Sequence, residues 1–347
     1  MRVLVGLSGG VDSSVAAGLL LEEGHEVVGA TMKLWGGAGD SGCCSVGDVE
    51  DARRVASRLG IDHHVFNFSE EFEQSVVGPY SEAHARGLTP NPCIECNRHL
   101  KFRRFLDRAV RLGFDAVATG HYARVEHDSQ APPRLLRGRD EAKDQSYVLS
   151  MLTVHELSRV LLPVGELTKP EVRAHAAFLG LATATKPDSQ EVCFVAAGTG
   201  QGPRRRFLSE RIELHPGRLV DRETGAVVGT VPAVELVTVG QRRGLGISAP
   251  GRRYAIEVDA ASATVTVGSE DDLLTDEVEL TRRTWVAGPL AAGALVLAQA
   301  SAHGRPRPVR LTESGMRYLE GPDRRVAPGQ TVALYLGDEV VGSGTAA

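Results

Sequence analysis

Apolar positions in the first two hundred residues fall into short runs separated by helical patterns. Val3, Leu4, Val5 and Leu7 form the first run, which reads as a strand buried on both faces. Residues 15–21 are apolar and helix-compatible, and Gly24 suits their end. Residues 27–32 predict a second strand, with Met32 at its carboxyl end, where open α/β sheets place their ligands. Asp48 caps an amphipathic pattern through Val49, Ala52, Val55, Ala56 and Leu59, closed by Gly60. Residues 63–68 predict a third strand, 70–87 a helix, 101–113 a basic helix and 116–122 a further strand. Between the two helices, residues 89–98 break the pattern with two prolines and read as a loop. Residues 126–134 are a polar, proline-containing stretch. Lys143 opens a helix through Leu152, Thr168-Lys169-Pro170 starts another, and residues 186–195 lead into a short strand. Strands alternating with helices predict a parallel α/β sheet.

After Ala196 the pattern changes. Residues 198–203 are glycine-rich and read as a linker, and from Gly217 onward short β-type runs alternate with turn residues, as in small barrels. The expected organisation is an α/β domain over residues 1–204, a small central β-rich domain over 205–276 and a C-terminal β-barrel over 277–347.

Composition adds limits. The 347 residues suit two or three domains, and 42% hydrophobic with 24% charged residues is a globular balance. No apolar run approaches the roughly 20 residues of a membrane span, and the amino terminus enters a strand at once. Five cysteines, an odd number, argue against a disulfide framework and for a reducing cytoplasm. The net charge of −5 does not advertise a nucleic-acid binder. Arginine doublets nevertheless punctuate the chain after residue 201, where they either grip phosphates or form solvated ion pairs.

The chemistry concentrates in the first turn. Ser8-Gly9-Gly10-Val11-Asp12-Ser13-Ser14 lies between the first strand and the first helix. Glycines let the backbone approach a phosphate, and a helix start favours negative charge. No Gly-Lys-Ser/Thr follows, so the turn is not a Walker loop, nor is it a dinucleotide fingerprint. It resembles the pyrophosphate loop of ATP pyrophosphatases, in which Asp12 would suit a magnesium or nucleotide contact.

Two cysteines stand out. Cys96 precedes the basic helix, near Arg98 and Lys101, which favours its thiolate. Cys193 lies ahead of the predicted short strand. The pair suits one nucleophile and one sulfur carrier. Cys93 and Cys96 also spell a Cys-x-x-Cys dipeptide, so an iron–sulfur cluster on Cys93, Cys96 and Cys193 is an alternative. Cys43 and Cys44 read as loop thiols.

Several further stretches complete a resemblance that runs nearly end to end. They are Gly42-Cys-Cys-Ser45, Thr89-Pro-Asn-Pro-Cys-Ile-Glu-Cys-Asn97, Ala118-Thr-Gly-His-Tyr-Ala123, Lys143-Asp-Gln-Ser-Tyr147, Asp188-Ser-Gln-Glu-Val-Cys-Phe194 and Val239-Gly-Gln-Arg-Arg-Gly-Leu-Gly-Ile247. With the first turn, their order and spacing resemble the bacterial tRNA-specific 2-thiouridylases.

That resemblance implies ATP, with Mg2+, on Gly6, Leu7, Ser8, Gly9, Gly10, Val11, Asp12 and Ser13, with Met32 and Gly120 lining the adenosine pocket. It implies adenylation of the C2 oxygen of the wobble uridine, position 34 of certain tRNAs. It implies Cys193 as the persulfide carrier, loaded by a cysteine desulfurase or a sulfur-relay protein, and Cys96 as the nucleophile. Asn91, Pro92 and Cys93 match the stretch around the target base, and His121, Lys143, Asp144, Gln145 and Gln330 match tRNA contacts. Cys93 stands where many members carry aspartate. The family's Arg-Tyr contact in the C-terminal barrel is His303-Gly304 here and is not carried over. A histidine and a tyrosine of the central domain are replaced around Val231 and Val237. Besides the cluster-dependent thiolase, the alternatives are a pyrophosphate-loop ligase acting on a small molecule and a nucleotide-binding regulator without catalysis.

Overall fold

The computed structural model describes residues 1–35, 46–188, 192–195, 202–247 and 251–347. Cys43 and Cys44 lie outside the described residues.

Strands β1 (Arg2–Gly6), β2 (Glu26–Lys33), β3 (His63–Asn67), β4 (Ala116–Ala118) and β7 (Val160–Leu161) form a parallel sheet in the order β3-β2-β1-β4-β7. Successive side chains of a strand face opposite sides. Leu4 therefore joins one core, with Phe102, Phe105 and Tyr147, while Val3 and Val5 join another, with Ala17, Leu20, Ala52 and Ala56. The second core is covered by the helices Val11–Glu22 and Val46–Leu59. Both end as the pattern requires, at Gly24 (φ +82°) and Gly60 (φ +70°).

From β1 the chain goes to β2 and β3 on one side and later to β4 and β7 on the other. The strand order thus reverses between β1 and β4, and the loops leaving their carboxyl ends flank a crevice.

Strands β5 (Ala123–Asp128) and β6 (Ala131–Arg137) form a hairpin from the polar stretch. The hairpin does not join the parallel sheet: Leu135 and Leu136 pair with Val340 and Glu339. Strands β8 (Gly217–Asp221), β9 (Val227–Val231), β10 (Tyr254–Asp259) and β11 (Thr264–Gly268) form a mixed sheet in the order β10-β11-β8-β9. A two-stranded ribbon, β12 (Leu274–Thr275) with β17 (Asp323–Arg324), leads to the last unit. There β13 (Glu277–Trp285), β14 (Leu295–Gln299), β15 (Arg307–Leu311), β16 (Gly315–Tyr318), β18 (Thr331–Leu336) and β19 (Glu339–Ala346) run β13-β16-β15-β14-β18-β19. Pairing of β13 with β19 closes them into a six-stranded barrel.

The Leu4-side core also takes in Leu208, Leu236, Val286 and Tyr335, so all three regions of the chain share one apolar cluster. No helix among the described residues is long and apolar enough to cross a membrane.

Two expectations are corrected. Residues 92–96 are helical, and the helix continues through Asn97–Arg104 and Phe105–Arg111. Pro92 supplies a preset φ in the first turn, and the Asn91 side chain caps it by accepting from the Cys93 N–H at 3.1 Å. Cys96 is thus the fifth residue of this helix rather than a loop residue ahead of one. Residues 192–195 form a turn, not the start of a strand. The side chain of Phe194 is committed instead to an aromatic cluster, with ring centroids 5.0 Å from Phe207, 5.3 Å from Tyr80 and 5.7 Å from Phe72.

Candidate active site

The crevice between β1 and β4 opens into a cavity of about 660 Å³, within the size range of small-molecule sites. Gly6, Leu7, Ser8, Gly10, Val11, Asp12 and Ser13 line it, as do Met32, Gly120 and His121, all named from the sequence. The turn is fixed from within: the Ser8 N–H donates to Ser13 Oγ at 3.1 Å, and the Ser14 hydroxyl donates to the Gly10 carbonyl at 2.7 Å. Two glycines admit no substitute. A Cβ on Gly9 (φ +72°) would lie 2.4 Å from the Asp48 carbonyl oxygen. A Cβ on Gly120 would lie 2.5 Å from the Ser13 nitrogen. Such a cradle lets backbone approach phosphate closely, and the cavity fits an adenine nucleotide.

The charged groups of the cavity are already paired. Asp12 accepts from Lys169 Nζ at 2.7 and 2.9 Å and from the Tyr122 hydroxyl at 2.7 Å. Burial and the Asp12 carboxylate push the Tyr122 phenol far above its usual range. Asp188 accepts from Lys143 and Lys169, each at 2.8 Å, and from Arg173 at 2.9 Å. Burial alone would raise its carboxyl, but the hydrogen bonds from Lys143 and Lys169 hold it down at about 2. Lys186 donates to Asp48 at 2.8 Å, to Asp51 at 2.7 Å and to the Gly9 carbonyl at 3.0 Å.

His121 is buried, and its Nδ1 shares a 2.7 Å hydrogen bond with the Thr119 hydroxyl. Burial, with the charge of Lys101, drives its pKa well below the ordinary value, so the ring is neutral. Asp144 and Gln145 are engaged within the protein. The Asp144 carboxylate accepts from Arg137 at 2.9 Å and from the Ser146 hydroxyl at 2.9 Å. Gln145 Oε1 accepts from the Tyr122 N–H at 2.9 Å.

None of the three described cysteines lines this cavity. Cys96 is buried, Cys193 half-buried and Cys93 exposed. Cys96 belongs to the Leu4-side core, and Cys193 packs against the same core. The neighbour of Cys96 touches the cavity wall: Asn97 Nδ2 donates to the Val148 carbonyl at 2.9 Å, and Val148 lines the cavity. Among the described residues no group of three or more His, Cys, Asp or Glu side chains is placed to hold a metal ion.

The barrel reaches the same region. The Thr89 N–H donates to the Pro328 carbonyl at 2.8 Å, and the Tyr147 hydroxyl, which also meets the Asn91 side chain, donates to the Thr331 carbonyl at 2.9 Å. Gln330 lies in the segment between these two contacts. Ala302 and His303 of the barrel line the nucleotide cavity itself.

Reading from sequence missed Tyr122, Lys101, Lys169, Lys186 and Asp188 as cavity residues. A signal was present. Of 39 cationic residues only five are lysines, and four of those five, Lys101, Lys143, Lys169 and Lys186, line this cavity.

A glycine turn at a parallel-sheet switch point, opening on a cavity of nucleotide size and joined to two β units, defines the class: an α/β nucleotide-binding domain with β domains appended. Comparison with known proteins narrows it. The profile described as tRNA methyl transferase HUP domain matches residues 1–197. The tRNA methyl transferase PRC-barrel domain matches residues 205–269, and the aminomethyltransferase beta-barrel domain matches residues 302–346. The tRNA-specific 2-thiouridylase MnmA of Heliobacterium modesticaldum is 45% identical over 358 residues, covering 99% of this chain and 91% of that protein. Those of Saccharopolyspora erythraea and Roseiflexus castenholzii are each 44% identical, covering 99% of this chain and 98% of the relative. The chain belongs to the tRNA-specific 2-thiouridylase family.

Proposed function

We propose that the protein uses ATP to replace the C2 oxygen of the wobble uridine of tRNA with sulfur. The observation that carries the reading is a phosphate-type cradle lining a cavity of nucleotide size, in a chain whose Cys96 and Cys193 pack with one apolar core. ATP lies on Gly6 to Ser13, with its adenosine against Met32 and Gly120. Asp12 is the carboxylate that would share a magnesium ion with the phosphates, as such ions are usually bound.

The reaction has two stages. An electron pair of the uridine C2 oxygen forms a bond to the α-phosphorus, and pyrophosphate leaves with the electrons of the broken P–O bond. This turns a poor leaving group into AMP. The terminal sulfur of a Cys193 persulfide then bonds to C2. The Cys96 thiolate attacks the Cys193 sulfur and breaks the S–S bond, leaving both electrons on the sulfur at C2. That sulfur expels AMP as the C=S bond forms. The transferred sulfur is reduced to the sulfide level, and the two cysteines are oxidised to a disulfide.

Asn91, Pro92 and Cys93 surround the target base, while His121, Lys143, Asp144, Gln145 and Gln330 shape the tRNA path. Lys143 has its side chain at the cavity, whereas Asp144 and Gln145 hold the segment in place from within. An anticodon uridine must leave its stack to reach the thiols. We assign residues 1–204 to catalysis and 205–276 to a central unit. Residues 277–347, the C-terminal barrel, hold the tRNA. The sulfur donor is a cysteine desulfurase or a relay protein loaded by one, and the cytoplasm, where tRNA and ATP are found, is the expected compartment.

The test is mass spectrometry of the wobble nucleoside after tRNA is incubated with the protein, ATP, cysteine and a desulfurase. Conversion of uridine to 2-thiouridine is expected, and it must fail with Cys96→Ser and Cys193→Ser while tRNA-dependent pyrophosphate release continues. Thiolation that survives both substitutions would refute the assigned roles.

A further inference from the structure

Lysine is rare in this chain and arginine common, yet lysines gather around the glycine turn. The two side chains differ physically: guanidinium is a planar fork, whereas ammonium is a compact point charge that three acceptors can share. Lys169 uses that property. It is only 9% exposed, and its Nζ bridges Asp12 of the glycine turn and Asp188. Lys186 reaches the same turn through other partners, the Gly9 carbonyl and the carboxylates of Asp48 and Asp51. Burial by itself would lower the Lys186 pKa, but its two aspartate partners raise it, so this ammonium keeps its proton at neutral pH. Each lysine is thus held in a fixed position before any phosphate arrives, by carboxylates that a phosphate can replace. Fixed charges aimed at developing charge need no reorganisation during the reaction, which is where such groups are most effective.

We propose that Lys169 and Lys186 are further residues of the adenylation step, exchanging carboxylate for phosphate oxygens and neutralising the pyrophosphate as it departs. The assignment rests on the placement of ATP at the glycine turn given above. As the uridine oxygen bonds to the α-phosphorus, the breaking P–O bond sends its electron pair to pyrophosphate. Lys169 meets that charge from its place between Asp12 and Asp188, and Lys186 from its place at Gly9. The exchange also frees Asp12 from its lysine partner as the nucleotide settles.

The test uses the full-length protein and three readouts. AMP binding reports the adenosine pocket, ATP binding adds the outer phosphates, and tRNA-dependent pyrophosphate release reports the chemistry. Lys169→Met should bind AMP as the parent does, bind ATP about 10-fold more weakly and release pyrophosphate roughly 100-fold more slowly. Lys169→Arg should recover little, because a planar guanidinium cannot take the same position between two carboxylates. Lys186→Met, at a half-buried site with little risk to folding, should slow release about 10-fold. A Lys169→Met protein with AMP and ATP affinity and release rate intact would overturn the assignment and leave the proposed function standing. Should Lys169→Met lose AMP binding altogether, release at the parent rate by Lys186→Met would overturn it. A parent protein that releases no pyrophosphate with ATP and tRNA would sink both.

Discussion

The nucleotide cavity and the surroundings of Cys96 and Cys193 are built differently. In the cavity, Asp12, Asp48 and Asp188 each hold a lysine ammonium at 2.7–2.8 Å, and the glycine turn is pinned by its own serines. Around the cysteines, by contrast, Cys96 sits in an apolar core, and the Cys193 turn is anchored by Phe194 among Tyr80, Phe72 and Phe207. Charge transfer to a leaving group needs fixed dipoles and ions, while sulfur transfer needs a place where water does not compete for the activated carbon. A two-stage reaction calls for both environments.

Changes confined to one region should therefore separate the two stages. The largest effect is expected from Cys96→Ser or Cys193→Ser. Thiolation should fall by roughly three orders of magnitude or more, and the double variant should lose little beyond either single one, since the two act as a unit. Mass spectrometry of the wobble nucleoside reads this. Next is Gly120→Ala, whose new Cβ would meet backbone at 2.5 Å. Displacing the turn by part of an ångström should slow pyrophosphate release roughly 100-fold, and an unchanged rate would mean that the nucleotide does not use this turn. Phe194→Ala removes the anchor of the Cys193 turn. It should cost about 3–5 kcal/mol of stability in denaturant melts, and at permissive temperature it should lower thiolation more than pyrophosphate release.

The smallest effect concerns pH. His84 is buried against the Glu235 carbonyl at 3.1 Å, and burial, helped by the charge of Arg204, lowers its pKa from 6.5 to about 4. A group whose folded pKa is depressed stabilises the fold above its unfolded value and loses that contribution as pH falls toward the folded value. Stability should thus decline as pH drops from about 6.5 to about 4, the span between the two values. Between pH 7 and pH 6 the loss should be at most roughly 0.7 kcal/mol. A His84→Gln variant should show a flatter profile in the same melts, and an unchanged slope would assign the pH dependence elsewhere.

Much of the site was legible because its chemistry is local. The glycine turn needs residues that are adjacent in sequence, so a strand, two glycines, an aspartate and a helix start could be read together at positions 3–21. Met32 was marked by its place at the carboxyl end of the second strand, and Gly120 by the family resemblance. Lys169 and Lys186 were not read as site residues, because nothing near them in sequence says which carboxylates they meet. Asp12 lies 157 positions from Lys169. The helical state of Cys96 was hidden by two prolines that look like a loop, although one of them occupies the first turn, where its missing N–H costs nothing.

The polar hairpin makes the same division plain. Residues 123–137 have local signals for little more than an interruption, and their partner strand, near Val340, is more than two hundred residues away. By itself the sequence determined the parallel sheet, the phosphate cradle and which cysteines to consider, since each depends on side-chain order over a few residues. Only the tertiary structure decided that Ala302 and His303 of the barrel reach the nucleotide cavity, that the lysines converge on the turn, and that Cys96 and Cys193 pack with one core. Those are contacts between distant segments, and they exist only once burial of the common core has fixed how the three regions pack.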